Sequence, residues 1–325
     1  MKRREFITLL GGTAAWPIAT HAQQSAPRTV TIGILAAVGL TDPWPSFIEA
    51  LDKLGYRRGQ NLTILFRSAK DSNTELPGLA AELVSLKPDV LVAGTTPPVV
   101  ALKEATTTIP IVMVGIGNPI ATGIVKSLAY PGGNITGTAN AVEEWNAKRL
   151  QSVTEMLPGI RCLSYLRNPA NQSIMVNEAK RKSIGEKLGI DFEVIDASTP
   201  EQLDQILAHP LPEQCKTALF LPLDGLFIAR RSQIAEFALR QKAALFAAFR
   251  QDAEAGALIA YGFNLDAQFR LGATYVDQIL KGARPADLPV QQPTRFETII
   301  NLKTAKAIGI QVPTSLLLSA DEVIE

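Results

Sequence analysis

From residue 30 onward, short apolar runs rich in β-branched residues alternate with stretches whose apolar residues recur at helical spacing. Residues 30–35 read as a buried parallel strand. Asp42 and Pro43 then open a helix with Phe47, Leu51 and Leu54 on one face, and Gly55 stops it. Further strands are expected at 62–66, 90–93, 111–114 and 135–138, with helices over 76–86, 97–105 and 120–128 between them. A second series begins after a helix near 142–157. Its strands fall at 162–166, 192–195, 218–221, 245–248 and 258–261, and its helices near 174–188, 201–207, 227–242 and 251–255. Alternation of this kind builds parallel sheets with helices on both faces. The chain is therefore expected to be α/β, with two Rossmann-like parallel-sheet lobes. A helix over 266–280, an extended 288–293, a strand at 297–301 and a helix over 302–308 complete it. The two series share a pattern and no repeated run of identical residues.

Composition agrees with that reading and excludes others. Of 325 residues 46% are hydrophobic, too many for a disordered chain. The 32 basic residues nearly cancel the 31 acidic ones, which leaves no broad positive field for nucleic acid. A chain of this length tends to divide into two cores.

The amino terminus reads as an export signal. Lys2-Arg3-Arg4 precedes a mostly apolar stretch from 6 to 19, and Thr20-His21-Ala22 offers the small residues of a cleavage site after Ala22. The apolar stretch is too short to span a bilayer, so no permanent anchor is expected. Arg3-Arg4-Glu5-Phe6-Ile7 resembles a twin-arginine signal, whereas Lys2 and Thr8 depart from its usual flanks and leave the general secretory route open. Cleavage removes three basic side chains and one acidic one, so the formal charge moves from +1 to −1. It also removes His21. His209, the histidine that remains, sits in a loop-like Ala208-His209-Pro210, a poor setting for a catalytic triad or a metal site. No catalytic or metal-binding group is expected. Cys162 and Cys215 lack zinc-ligand spacing. In an oxidising compartment they either pair or remain buried thiols.

Paired open sheets bind ligands at the carboxyl ends of their strands, facing the cleft. In the first lobe this selects residues 36–44, Gly94-Thr95-Thr96-Pro97 and Gly115-Ile116-Gly117-Asn118-Pro119. Thr95 and Thr96 offer hydroxyls beside the amides of a helix start, suited either to a polar ligand group or to capping alone. Gly115-Ile116-Gly117 lacks the third glycine of a dinucleotide fingerprint, so no nucleotide cofactor is expected. In the second lobe Asn168 and Asn171 can donate and accept, Asp224 can hold an ammonium, and Arg250 can hold a carboxylate. For each, turn chemistry or a surface ion pair is the alternative. Trp44 in a cleft loop and Trp145 near the first crossover are candidates to stack on a planar ligand or to pack the hinge.

Several stretches together resemble the solute-binding proteins of ABC importers. They are the signal, Thr106-Thr107-Thr108-Ile109-Pro110-Ile111-Val112, Pro131-Gly132-Gly133-Asn134-Ile135-Thr136-Gly137, Leu288-Pro289-Val290-Gln291-Gln292-Pro293-Thr294 and Ile300-Asn301-Leu302-Lys303-Thr304-Ala305-Lys306-Ala307. The resemblance implies a periplasmic binding protein of type I, in which three crossovers join two lobes that close on a solute. The expected lobes are 29–139 plus 264–292, and 140–263 plus 293–325. It implies an exported, periplasmic monomer that carries an amino acid or an aromatic or carboxylate compound to a membrane permease and ATPase, without cofactor, metal or nucleic acid. A sensory partner of a membrane receptor is the alternative. The implied cleft residues are Thr41, Trp44, Thr95, Thr96, Asn118, Asn168, Asn171, Asp224, Phe227, Arg250 and Tyr261. The chain has Asn118 where the family commonly has Asp, and Ile228-Ala229 where it has a polar pair, which makes this cleft less polar.

Overall fold

The computed structural model describes residues 29–37, 39, 43–70, 73–140 and 142–325, with side chains left aside at 142–144. The export stretch, Thr41 and Asp42 lie outside the described residues. The first sheet is built from β1 (Val30–Ala36), α1 (Trp44–Lys53), β2 (Leu62–Ser68), α2 (Leu76–Ser85), β3 (Val90–Gly94), α3 (Thr96–Ala105), β4 (Ile111–Gly117) and β5 (Ile135–Asn140). Its strand order is β2-β1-β3-β4-β5, all parallel. β3 and β4 are buried at every position, as strands covered on both faces must be.

The chain continues through α4 (Val142–Met156), β6 (Cys162–Arg167), α5 (Gln172–Val176), α6 (Glu178–Leu188), β7 (Asp191–Asp196), α7 (Pro200–Leu207) and β8 (Ala218–Phe220). Then come α8 (Gly225–Ala229), α9 (Arg231–Arg240), β9 (Ala244–Ala247), α10 (Arg250–Glu254), β10 (Ile259–Gly262), α11 (Leu265–Leu280), β11 (Glu297–Asn301), α12 (Leu302–Ile308), α13 (Thr314–Ser319) and β12 (Glu322–Ile324). The second sheet runs β12-β11-β10-β9-β8-β6-β7, with β11 antiparallel to β10 and the other pairs parallel.

Helix α11 follows a strand of the second sheet but packs on α1, β4 and β5 of the first. The segment after it pairs Gln291 with Thr138 at the edge of the first sheet before the chain enters β11. The lobes are thus joined between β5 and α4, between β10 and α11, and ahead of β11. The joint is packed with aromatic rings: Trp145 lies 5.8 Å from Phe263, Phe263 lies 5.3 Å from Phe249, and Trp145 Nε1 donates to the Tyr261 carbonyl at 2.7 Å.

The structure departs from the sequence expectation where polar side chains compete with helical hydrogen bonds. Residues 120–128 form turns, not a helix. The Asn118 side chain accepts from Ala121 N, the Thr122 hydroxyl donates to the Asn118 carbonyl, and Gly123 adopts a φ of 68°. The helix expected over 174–188 breaks at Asn177, whose amide donates to the Ser173 carbonyl at 2.6 Å. That over 227–242 breaks at Arg230. Cys162, at the start of β6, is disulfide-bonded to Cys215, just before β8, so the pairing left open by the sequence is a bond.

Candidate functional site

The carboxyl ends of β1, β3 and β4 face the start of α8 across a small cavity. Ala37, Trp44, Thr95 and Gly115 line it from the first lobe, Leu223, Gly225 and Ile228 from the second, and Phe269 from α11. The Trp44 ring stands edge-on to Phe269 at 4.9 Å and to Phe47 at 5.8 Å. It therefore belongs to the lobe core and also forms a wall of the cavity. Gly94 permits this packing, because a Cβ there would lie 2.9 Å from the Phe269 ring.

Thr95 carries the tension of the site. Its φ of 65° and ψ of 162° fall in a region otherwise occupied almost only by glycine, a backbone cost of about 1–3 kcal/mol. Its hydroxyl is buried and has no hydrogen-bond partner. The Asn140 Oδ1 is likewise buried without a partner, while its amide nitrogen donates at 3.0 Å to the carbonyl of Gly115, another cavity residue. Opposite Thr95 the lobes come close at Gly225, where a Cβ would come 2.8 Å from the Ala37 Cβ.

The second lobe behaves differently. Asn168 and Asn171 both donate to the Asp224 carboxylate, at 3.1 Å and 2.8 Å, and Leu226 N donates to it at 3.0 Å as the cap of α8. The two amide oxygens accept from Ala170 N and Ser173 N. All three side chains are buried, and burial pushes the Asp224 carboxyl above its usual range against the pull of these donors. The network fixes the loops after β6 and β8 beside the cavity, with its hydrogen bonds spent internally. Asn118, at a φ of 46°, reaches across the cleft and donates to Asn177 Oδ1 at 3.2 Å.

A second small cavity shares Leu223 with the first. Trp145, Tyr165 and Phe220 form its aromatic walls, and Asn177 and Arg181 its polar side. Burial pushes the Tyr165 hydroxyl up to about 12, so it stays protonated at neutral pH. Behind Trp145 and Phe220 lies Arg149, 1% exposed, its guanidinium 4.8 Å and 4.2 Å from the two ring centres. Burial lowers its pKa to about 10, which still leaves it charged at neutral pH.

Of the residues expected from sequence, Trp44 and Thr95 line the first cavity, and Asn168, Asn171 and Asp224 form the network beside it. Thr96 is buried as the first residue of α3. Three belong elsewhere. Phe227 is fully buried in the core of the second lobe, because α8 turns its ring inward. Arg250 pairs with Glu254 and Glu322 on the outer surface, so its charge is already met. Tyr261 stacks on Phe296 at 5.8 Å. Sequence reasoning missed Arg181, which stands between Lys180 and Lys182 and reads there as part of a solvated basic run.

A family model described as ABC transporter substrate binding protein matches residues 30–324, and the chain belongs to that family. It is 28% identical over 279 residues to a tyrosine-binding protein of Clostridioides difficile, covering 85% of this chain and 78% of that one. Among solved structures it is similar to a conserved domain protein of Vibrio cholerae, with a TM-score of 0.83 and 26% identity over 91% of this chain and all of that one. It is also similar to a Streptococcus pneumoniae ABC domain in complex with L-Trp, with a TM-score of 0.79 and 23% identity over the same shares. The ligand-free, open form of a Clostridium difficile substrate binding protein gives a TM-score of 0.60 at 25% identity, over 91% of this chain and 99% of that one.

Proposed function

We propose that this family member captures a small organic solute between its lobes and delivers it to a membrane permease driven by an ATPase. The observation that carries the proposal is Thr95, a strained residue in the lining of a cavity walled by both lobes, with a buried hydroxyl that has no partner. Strain of this kind persists where the surrounding structure enforces it, and a solute acceptor or donor would complete the hydroxyl's hydrogen bonding. The chain's likeness is greater to the L-Trp complex than to the open, ligand-free relative, which fits a closed arrangement of the lobes.

Closure follows from differential affinity. A solute that first meets one lobe gains contacts with the other only in the closed form, and that difference shifts the equilibrium. The tyrosine-binding relative and the L-Trp complex suggest an amino acid or an aromatic carboxylate as the solute class. Trp44, Thr95 and the loops held by Asn168, Asn171 and Asp224 form the proposed binding surface. The export signal expected from the sequence and the disulfide both suit a periplasmic carrier. No step of bond making or breaking is proposed.

The test is native mass spectrometry of the mature protein with a thermal-shift screen of amino acids and small organic acids. A bound small molecule that leaves on denaturation, or a saturable rise in Tm, is the expected result. Neither signal across the screen would reject solute capture.

A further inference from the structure

Arg181 sits in the second cavity and is 7% exposed. Its guanidinium is clamped between the rings of Tyr165 and Phe192, at 4.1 Å and 4.2 Å from their centres. Nε and Nη2 both donate to Glu178. Glu178 also accepts from Arg167, which makes a two-point pair with Asp196 at 2.6 Å and 2.8 Å. Two guanidinium groups and two carboxylates are thereby matched, yet Arg181 Nη1 stays buried without a partner. A rigid, desolvated nitrogen carrying two N–H donors is suited to an anionic acceptor. Arg149, with Nε and Nη1 also unpartnered, adds positive charge behind the wall of Trp145 and Phe220.

The cleft offers less to a cation. Asp224, the acid that the sequence nominates for an ammonium, already accepts from Asn168, Asn171 and Leu226 N. Among the described residues lining the two cavities there is no carboxylate. Among these described residues an α-ammonium would leave water without gaining a counter-charge.

We infer that Arg181 anchors the carboxylate of the solute, and that the preferred solute is an aromatic monocarboxylate without an α-ammonium group. Its ring lies in the cavity walled by Trp44 and Phe269, and its carboxylate passes Leu223 into the second cavity. The inference rests on the proposed capture of a solute between the lobes and adds the chemical class and the anchor.

Calorimetry on the mature protein tests it with five probes: 3-(4-hydroxyphenyl)propionate, indole-3-propionate, L-tyrosine, L-tryptophan and tyramine. The two propionates are expected to bind at least tenfold more tightly than the corresponding amino acids, and tyramine to give no binding heat. Arg181→Gln is expected to weaken the propionates tenfold or more. Should that variant fail to fold, the probe series on the unaltered protein still decides. Amino acids that bind as tightly as their deaminated counterparts, tyramine binding comparable to the propionates, or an Arg181→Gln variant with unchanged affinity would each overturn the inference. So would silence from all five probes, while a retained small molecule in native mass spectra would keep the capture reading intact.

Discussion

The two lobes meet at one cleft but use their polar groups in opposite ways. The first lobe brings an aromatic wall and a strained threonine whose hydroxyl is left over. The second brings three buried polar side chains, Asn168, Asn171 and Asp224, whose hydrogen bonds are spent on one another and on their own loops. Polar residues around the cleft are thus of two kinds. Those with closed networks build the wall, and Thr95 and Arg181, with unpartnered buried atoms, are the ones proposed to meet a solute.

Removing the disulfide should separate the lobes most clearly, because among the described residues it is confined to the second. Cys162 and Cys215 are 53 residues apart in sequence, and the loop-entropy account gives about 4 kcal/mol for such a closure. Cys162→Ser with Cys215→Ser should lose this in urea unfolding, with hydrogen exchange accelerated in β6 to β8 and unchanged in β1 to β5. Uniform acceleration would erase the distinction. Asp224→Ala should cost about 3 kcal/mol, since two buried amides lose their acceptor. A loss below about 1 kcal/mol would show that the network is not the scaffold of that wall.

Two further substitutions act on the cleft. Gly225→Ala places a Cβ against Ala37 and should weaken solute binding about tenfold, or about 1.4 kcal/mol, with the unliganded Tm unchanged. Ala37→Gly in the same chain should restore affinity, and failure of that rescue would locate closure elsewhere. Thr95→Gly relieves the backbone strain and should raise stability by about 1 kcal/mol while weakening binding. A stabilised variant with unchanged affinity would remove Thr95 from the proposed site.

The strand and helix pattern was legible because parallel, doubly covered strands must be continuous apolar runs such as 90–94 and 111–117. The turns at 120–128 were not, since the apolar spacing there is helical and the side-chain bonds of Asn118 and Thr122 that oppose it are invisible to periodicity. The places of Trp44, Thr95 and Asp224 near strand ends could be read from the strand-end rule, although Trp44 opens α1 and is not in a loop. Whether a side chain there is spent or spare depends on partners distant in sequence: Arg250 is taken by Glu322, and Arg181, in the lining of the second cavity, lies between Tyr165 and Phe192.

The account stands on closure of two lobes over a solute. Paired spin labels on exposed sites of α2 and α7 report the interlobe distance directly, with and without the compound identified by native mass spectrometry or the ligand screen. The account predicts a saturable shortening that follows binding and is blunted in Gly225→Ala. Full binding with an unchanged distance distribution would contradict it.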